Sequence, residues 1–257
     1  MKRLICLLFC LLLFASLTVA CSNDSGVNKE TDGDEQANEE TVVFEATVIK
    51  DDDIFLVTPV EGSSELSSSD KIAIHIALSE GEEARDQKFK SGDLVKITYN
   101  GLIAESYPAQ IWASKVELIG RNLLIDGYKA IINDIYLEDF ALNDGIKMIA
   151  FDVSDWTGLS NAEKETLFAI LNEDHKLDII EGSTDDLKEM GLINEEGLYF
   201  EEGILIEIKD IVYNKEASEL SASISKWRSG DGAIGWDVKA SYKDGKWEIV
   251  RDNNWIS

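Results

Sequence analysis

GDLVKITYNGLIAESYPAQIWASKVELI, residues 92–119, is the stretch whose reading decides the fold. It reads as two strands on either side of a turn. Val95, Ile97 and Tyr99 alternate with Leu94, Lys96 and Thr98. After the turn, Trp112, Val116 and Leu118 share one face, with Ser114 among them. A period of two is what a half-buried antiparallel strand requires, because successive side chains point to opposite faces. Asn100-Gly101 supplies the positive φ of a tight hairpin turn, and Tyr107-Pro108 predicts an extended dipeptide ahead of the last strand.

Upstream, Val43–Ile49 and Ile54–Val60 are strand-like and meet at Asp51-Asp52-Asp53. That triplet lacks the alternating ligands and the glycine of a calcium loop, so it reads as a charged turn. Glu61–Asp70, with five serines, reads as a mobile loop. In Lys71–Leu78 the residues Ile72, Ile74, Ile76 and Leu78 face inward, and Ala73, His75 and Ala77 face outward. His75 has no second His and no Cys nearby, so it reads as solvated rather than as a ligand. Gly81–Lys90 is charged and suits a short helix. Five strands with a helical insert between the third and fourth predict a small open barrel of the oligonucleotide/oligosaccharide-binding (OB) type.

The residues Gly92-Asp93, Val95-Lys96, Tyr99-Asn100-Gly101, Glu105-Ser106-Tyr107-Pro108-Ala109-Gln110 and Lys115-Val116-Glu117 carry a resemblance. Over about residues 45–120 the chain resembles the YobA-like lipoprotein family, a domain of unknown function of low-GC Gram-positive bacteria. The resemblance implies a secreted or lipidated β domain and brings no activity or site residue with it.

The N-terminus agrees with that expectation on its own terms. Lys2 and Arg3 precede an uncharged apolar run, Leu4–Leu17, and small residues lead to Cys21. This is the plan of a targeting segment over residues 1–20. Leu17-Thr18-Val19-Ala20-Cys21 resembles a lipobox, in which the cysteine sulfur receives a diacylglyceryl group, although Thr18 stands where that motif usually has Leu. Removal of the leader, with Cys6 and Cys10, leaves one cysteine, which excludes an intramolecular disulfide and a cysteine metal site. Residues 22–40, with seven acids, one Lys and no aromatic, form a tether that cannot bury enough apolar surface to order itself. As a flexible coil it spans about 24 Å.

The chain has 257 residues, with 24 Lys+Arg against 50 Asp+Glu, a formal charge of −26. Losing Lys2 and Arg3 takes the mature chain to −26 − 2 = −28. A polyanion of this size repels nucleic acid and anionic headgroups.

Residues 122–257 read as a second domain. Leu124, Tyr128, Ile131, Ile132 and Ile135 recur at helical spacing. Ile146–Phe151 is a short apolar strand, Ser160 with Glu163 is a capping box opening a second helix, and Leu177–Ile180 is another strand. Ser183 caps a helical turn over Thr184–Met190 that Gly191 closes. Alternation then takes over: Ile204, Ile206 and Ile208; Leu220, Ala222 and Ile224; Trp236, Val238, Ala240 and Tyr242; then Asp244-Gly245 turns the chain into Trp247 and Ile249. The predicted class is α+β: an OB-like barrel over 42–121, then helices packed on an antiparallel meander over 122–257, like a cystatin-like or NTF2-like cone. The ending, Gly245-Lys246-Trp247-Glu248 through Trp255-Ile256-Ser257, resembles a C-terminal region of other uncharacterised Gram-positive lipoproteins.

Five of the six tryptophans (156, 227, 236, 247 and 255) fall in this second domain. Trp227, Trp236 and Trp247, with Tyr242, form a candidate ligand pocket, since rigid aromatics supply binding area at little entropic cost; the plainer reading makes them core. Lys226-Trp227-Arg228 is the cationic spot of an acidic domain and reads as a solvated strand end. No Gly-x-Ser-x-Gly, phosphate loop or zinc-helix motif occurs, and His175 lies in a polar helix end. Asp152 and Asp155 are the first carboxylate pair to consider, against a simple role in capping the turn before Trp156. The expected function is a lipid-anchored, extracytoplasmic, non-enzymatic binding module of the envelope. It is held to the membrane through Cys21, takes a wall component or envelope protein as partner, and has no cofactor, metal or nucleic acid. The alternative is a carboxylate-dependent hydrolase of wall polymer.

Overall fold

Inward burial of alternate residues closes the N-terminal strands on themselves. The computed structural model describes residues 41–76, 88–194, 196 and 198–257. The leader, Cys21, the acidic linker and most of the charged segment from Gly81 lie outside the described residues. Strands β1 (Val42–Asp51), β2 (Phe55–Pro59), β3 (Ile72–Ile76), β4 (Asp93–Tyr99) and β5 (Ala109–Arg121) form a closed barrel in the order β1-β2-β3-β5-β4. The β3–β5 pair is parallel, and the pairings of β1 with β2 and with β4 are antiparallel. Val48, Val57, Ile72, Val95, Ile97 and Ile111 are fully buried inside it.

Three local expectations are corrected. Asn100-Gly101 does not join its strands as a tight hairpin: Gly101 has φ +81°, yet the chain stays out of the ladder until Ala109. Trp112 points outward and is 51% exposed, because Ala109, Ile111 and Ala113 take the inner face and a bulge follows at Ser114. Glu61–Asp70 is structured by a one-turn 3-10 helix, Ser64–Ser67. It is pinned by Glu65, which accepts from Tyr99 Oη at 2.9 Å, Ser64 Oγ at 3.1 Å and also Ser63 Oγ. Burial alone would raise the Glu65 carboxyl; the hydroxyls outweigh it and hold it below the usual range, while burial and Glu65 push Tyr99 up to about 12.

Helix α1 (Leu123–Leu137) starts where the barrel ends. Asn122 is its N-cap, its Oδ1 accepting from the N–H groups of Leu124 and Ile125 at 3.1 and 3.3 Å. The same side chain donates from Nδ2 to Thr47 Oγ1 of β1 at 3.0 Å and to Glu163 Oε1 of helix α2 (Asn161–His175) at 2.8 Å. Arg121 adds a bidentate pair to Asp126 and a bond to Asp93 at 2.9 Å. The described residues from Thr41 onward therefore pack as one compact unit around separate cores.

The rest is a mixed sheet. Strands β6 (Met148–Asp152), β7 (Asp178–Glu181), β10 (Gly203–Asn214), β11 (Glu219–Ser229), β12 (Gly232–Lys243) and β13 (Lys246–Ile256) lie in the order β13-β12-β11-β10-β6-β7. Helix α3 (Thr184–Glu189) and the short strands β8 (Ile193–Asn194) and β9 (Tyr199–Phe200) cover one end. The last four long strands are the expected antiparallel meander, but β6 joins β10 in parallel and β7 joins β6 in parallel. A parallel neighbour needs a crossover, and α2 supplies it between β6 and β7. Among the described residues no helix is long and apolar enough to cross a membrane.

Lys226 is the main surprise of this lobe. It is fully buried, and its ammonium donates to the carbonyls of Tyr136, Glu138 and Asp139 and to Asn143 Oδ1. Arg228 donates to the carbonyls of Leu142, Asp144 and Glu201 at 2.8 to 3.0 Å. The expected solvated strand end is instead a clamp on the last turn of α1 and the chain leaving it.

Asn122→Ala is expected to lose about 1–2 kcal/mol in urea unfolding, the ordinary loss for an N-cap. Lys226→Met should lose about 1–3 kcal/mol at pH 7, because the buried carbonyls lose their donor. Burial lowers Lys226 to about 8. Between about 8 and the unfolded value near 10.4 the unfolded chain holds a proton that the folded chain has released. Wild-type stability therefore rises with pH across that window relative to Lys226→Met, and parallel pH profiles for the two would refute this account.

Candidate functional site

Strand pairing sorts the meander into two faces. Ile224 and Trp236 are cross-strand partners, as are Leu220 and Ala240, and all four are buried against α1. One residue along, Glu207, Ser225, Gly235 and Trp255 form a row across β10 to β13, with Lys209, Ser223 and Asp237 in the next row. All of these but Gly235 line a cleft of about 350 Å³, to which Asn253, Ile224 and Trp236 also contribute.

A bulge gives the cleft its shape. Gly235 pairs with Trp255 but Asp237 pairs with Asp252, so β13 carries one extra residue there, and Asn253 sits in the left-handed region at φ 51°. A bulge re-aims the side chains around it. Asn253 Nδ2 donates to Asp237 Oδ2 at 2.6 Å, and Ser223 Oγ donates to Asp237 Oδ1 at 2.6 Å. Those two bonds, Ser223's first, hold the Asp237 carboxyl below its ordinary range. Glu207 accepts from Lys209 Nζ at 3.2 Å and from Ser225 Oγ at 3.4 Å. Trp255 is 47% exposed beside them.

The residues chosen from sequence do not share one face. Trp236 is 5% exposed, with the Arg251 guanidinium 4.3 Å above its ring. Trp247 and Tyr242 lie on the same inner side, rings 5.6 Å apart, and Trp247 packs on α1 at Gly127, where a Cβ would approach its ring to 3.1 Å. Trp227 points the opposite way, into a small cluster with Leu187, Phe200 and Leu205. Asp152 Oδ1 accepts from the Ser154 N–H at 3.0 Å, as a turn cap does, and Asp155 is exposed.

Residues 48–120 match a family model described as "Protein of unknown function (DUF3221)". No curated protein and no solved structure matches the chain. The DUF3221 segment is most of the barrel, so the cleft lies outside it. Within that segment His75 stacks on Trp112 at 5.0 Å on the outer surface, its Nε2 3.0 Å from Gln110 Oε1. Gln110 in turn donates to Ser106 Oγ at 3.2 Å, and Ser106 donates to the Pro108 carbonyl at 2.7 Å. The Glu105–Gln110 run thus orients an exposed imidazole–indole pair. His175 is taken up by Asn133 Oδ1 at 2.8 Å and the Tyr136 ring, and burial lowers its pKa. A second cleft, of about 460 Å³, lies by Val43–Glu45 and Val60–Glu65, but Glu65 there is already bound to hydroxyls. Among the described residues no group of three or more His, Cys, Asp or Glu is placed to hold a metal ion.

The sequence reading missed Trp255, Gly235 and Asn253. A signal was present: a glycine inside a strand pattern marks a close approach, and Asp252-Asn253-Asn254 inside a strand favours a left-handed residue. Trp255→Ala is expected to change unfolding free energy by about 1 kcal/mol or less, as a surface substitution does. Trp236→Ala should lose about 3–5 kcal/mol by opening the core. Equal losses for the two in chemical denaturation would put Trp255 in the core as well.

Proposed function

We propose that this chain is a membrane-anchored, extracytoplasmic lipoprotein of the YobA-like kind that works as a non-enzymatic binding module of the cell envelope. The observation that carries the reading is the outer cleft, where an exposed indole and fixed hydrogen-bonding groups share a rigid sheet. Sites built on strands hold their groups more tightly than sites on loops. The leader over residues 1–20, Cys21 after it and the acidic tether support the anchor and the reach. The barrel, on this reading, is OB-like, its strand order and parallel β3–β5 pair being the support; the long bulged strands around α1 support a cystatin-like or NTF2-like cone. A chain of net charge −26 favours neutral or cationic partners over nucleic acid and other polyanions.

A carboxylate-dependent hydrolase is the second reading, and Glu207 and Asp237 in one cleft are what favours it. Asp237 weighs against it: a carboxyl kept ionised by Ser223 and Asn253 is a poor general acid near neutral pH.

Cys21→Ala should move the protein from the membrane fraction to the medium or to an uncleaved precursor, while the wild-type mature N-terminus carries the mass of a lipid. An unmodified wild-type N-terminus rules out the anchor. The released Cys21→Ala protein should also cosediment with isolated envelope without releasing soluble fragments, and fragment release that Asp237→Asn abolishes would establish the hydrolase instead.

A further inference from the structure

Trp255 lies down on the sheet, and Gly235 is what permits it. A Cβ at Gly235 would come within 2.6 Å of ring atoms of Trp255 and 2.8 Å of the Ile224 carbonyl oxygen. Any larger residue at that position would lift the ring off the strands. One side of the indole therefore rests against backbone, and the residue keeps 47% of its surface in water. The floor beside it carries hydrogen-bonding groups whose directions are already set. Asp237 is held at both oxygens, and each carboxylate oxygen keeps a further lone pair. Lys209 spends one of its three ammonium hydrogens on Glu207.

We infer that this cleft binds a neutral saccharide, with one sugar ring stacked on Trp255 and hydroxyls along the saccharide bonded to Asp237, Glu207 and Lys209. The inference rests on the binding-module reading given above and names the ligand class for the same cleft. Three features select that class. The negative face of an indole attracts the polarised C–H groups on one side of a sugar ring. Sugar hydroxyls both donate and accept, which matches a cleft that offers carboxylate acceptors and an ammonium donor across the span of β10 to β12. A purely apolar ligand would desolvate those groups without replacing their bonds to water. Charge narrows the choice further. Glu207 and Asp237 against Lys209 leave the cleft one negative charge in excess, within a chain of −26. Anionic polymers are repelled, and a cationic ligand meets Lys209 as well as the carboxylates. The volume, about 350 Å³, is near the low end for ligand pockets, roughly 300–1,000 Å³, so it takes a short stretch of glycan.

The test is titration of the full chain in detergent with three probes: tetra-N-acetylglucosamine as the neutral saccharide, choline as a cation and heparin as an anionic glycan. Binding is followed by calorimetry and by the difference in tryptophan fluorescence between wild type and Trp255→Ala. The saccharide should bind, with affinity at least tenfold weaker in Trp255→Ala and in Asp237→Asn, partly restored in Trp255→Phe, and with melting temperatures within a few degrees of wild type. Choline and heparin should give no Trp255-dependent signal. Saccharide binding untouched by Trp255→Ala overturns the site, and Trp255-dependent choline binding without saccharide binding overturns the ligand class. If envelope cosedimentation of the released Cys21→Ala protein needs Trp255 while the saccharide does not bind, this inference falls and the binding-module reading stands. If neither occurs, both fall.

Discussion

The C-terminal end of α1 is the constraint that organises the larger lobe. A helix end leaves four carbonyls without intrahelical partners, and here they come to rest against a sheet rather than in water. Cations from the sheet meet them: Lys226 the carbonyls of the last turn, Arg228 those of the following loop, Arg251 the side chains of Asp134 and Glu138. Basic side chains at the negative end of the helix dipole add to the same effect. With 24 basic residues against 50 acidic ones, their gathering at one helix end matters. Once Lys226 must point inward, alternation settles the rest. Ile224, Trp236 and Val238 take the helix side, and Ser223, Ser225 and Asp237 are turned to the outer face. The polar cleft is thus the reverse side of the clamp.

The barrel is bound to that lobe by chemistry of the same economy. Asn122 uses its carbonyl oxygen to start α1 and its amide hydrogens to hold β1 and the first turn of α2. Glu163, which receives one of those bonds, also completes the capping box with Ser160. A single amide therefore ties together the starts of two helices and the barrel wall.

Much of this was legible in the sequence and some was not, for physical reasons. Strands with strict alternation, such as Val95-Ile97-Tyr99, and helices with marked caps, such as Ser160–Glu163, announce themselves because local spacing decides their burial. Lys226 does not, since a lysine among polar neighbours looks solvated until the carbonyls it must satisfy arrive from residues 136–143. The expected common face of Trp112 and Val116 fails at the bulge at Ser114, where the inner face changes parity, and a bulge leaves no mark in the alternation itself. Aromatic character alone does not tell which face a residue takes: Trp227 is one position from the inward Lys226 and so falls on the far side of the sheet. Even-numbered Trp236 and Tyr242 stay with α1. The residues that line the cleft are mostly short and polar, and their period-two spacing reads as ordinary solvent-facing strand.

The extra residue at Asn253 has a consequence for how related chains compare. From Lys246 to Asp252 the facing of each side chain follows from counting forward from the Asp244-Gly245 turn. Beyond Asn253 the count is displaced by one, and the bulge absorbs the extra residue so that Trp255 still lands beside Gly235. A chain that lost Asn253 alone would close the bulge into a regular ladder with the indole still opposite Gly235, but Asp237 would lose the amide that holds its Oδ2. In this tail the bulge serves the side chain that it inserts rather than the register of the residues around it.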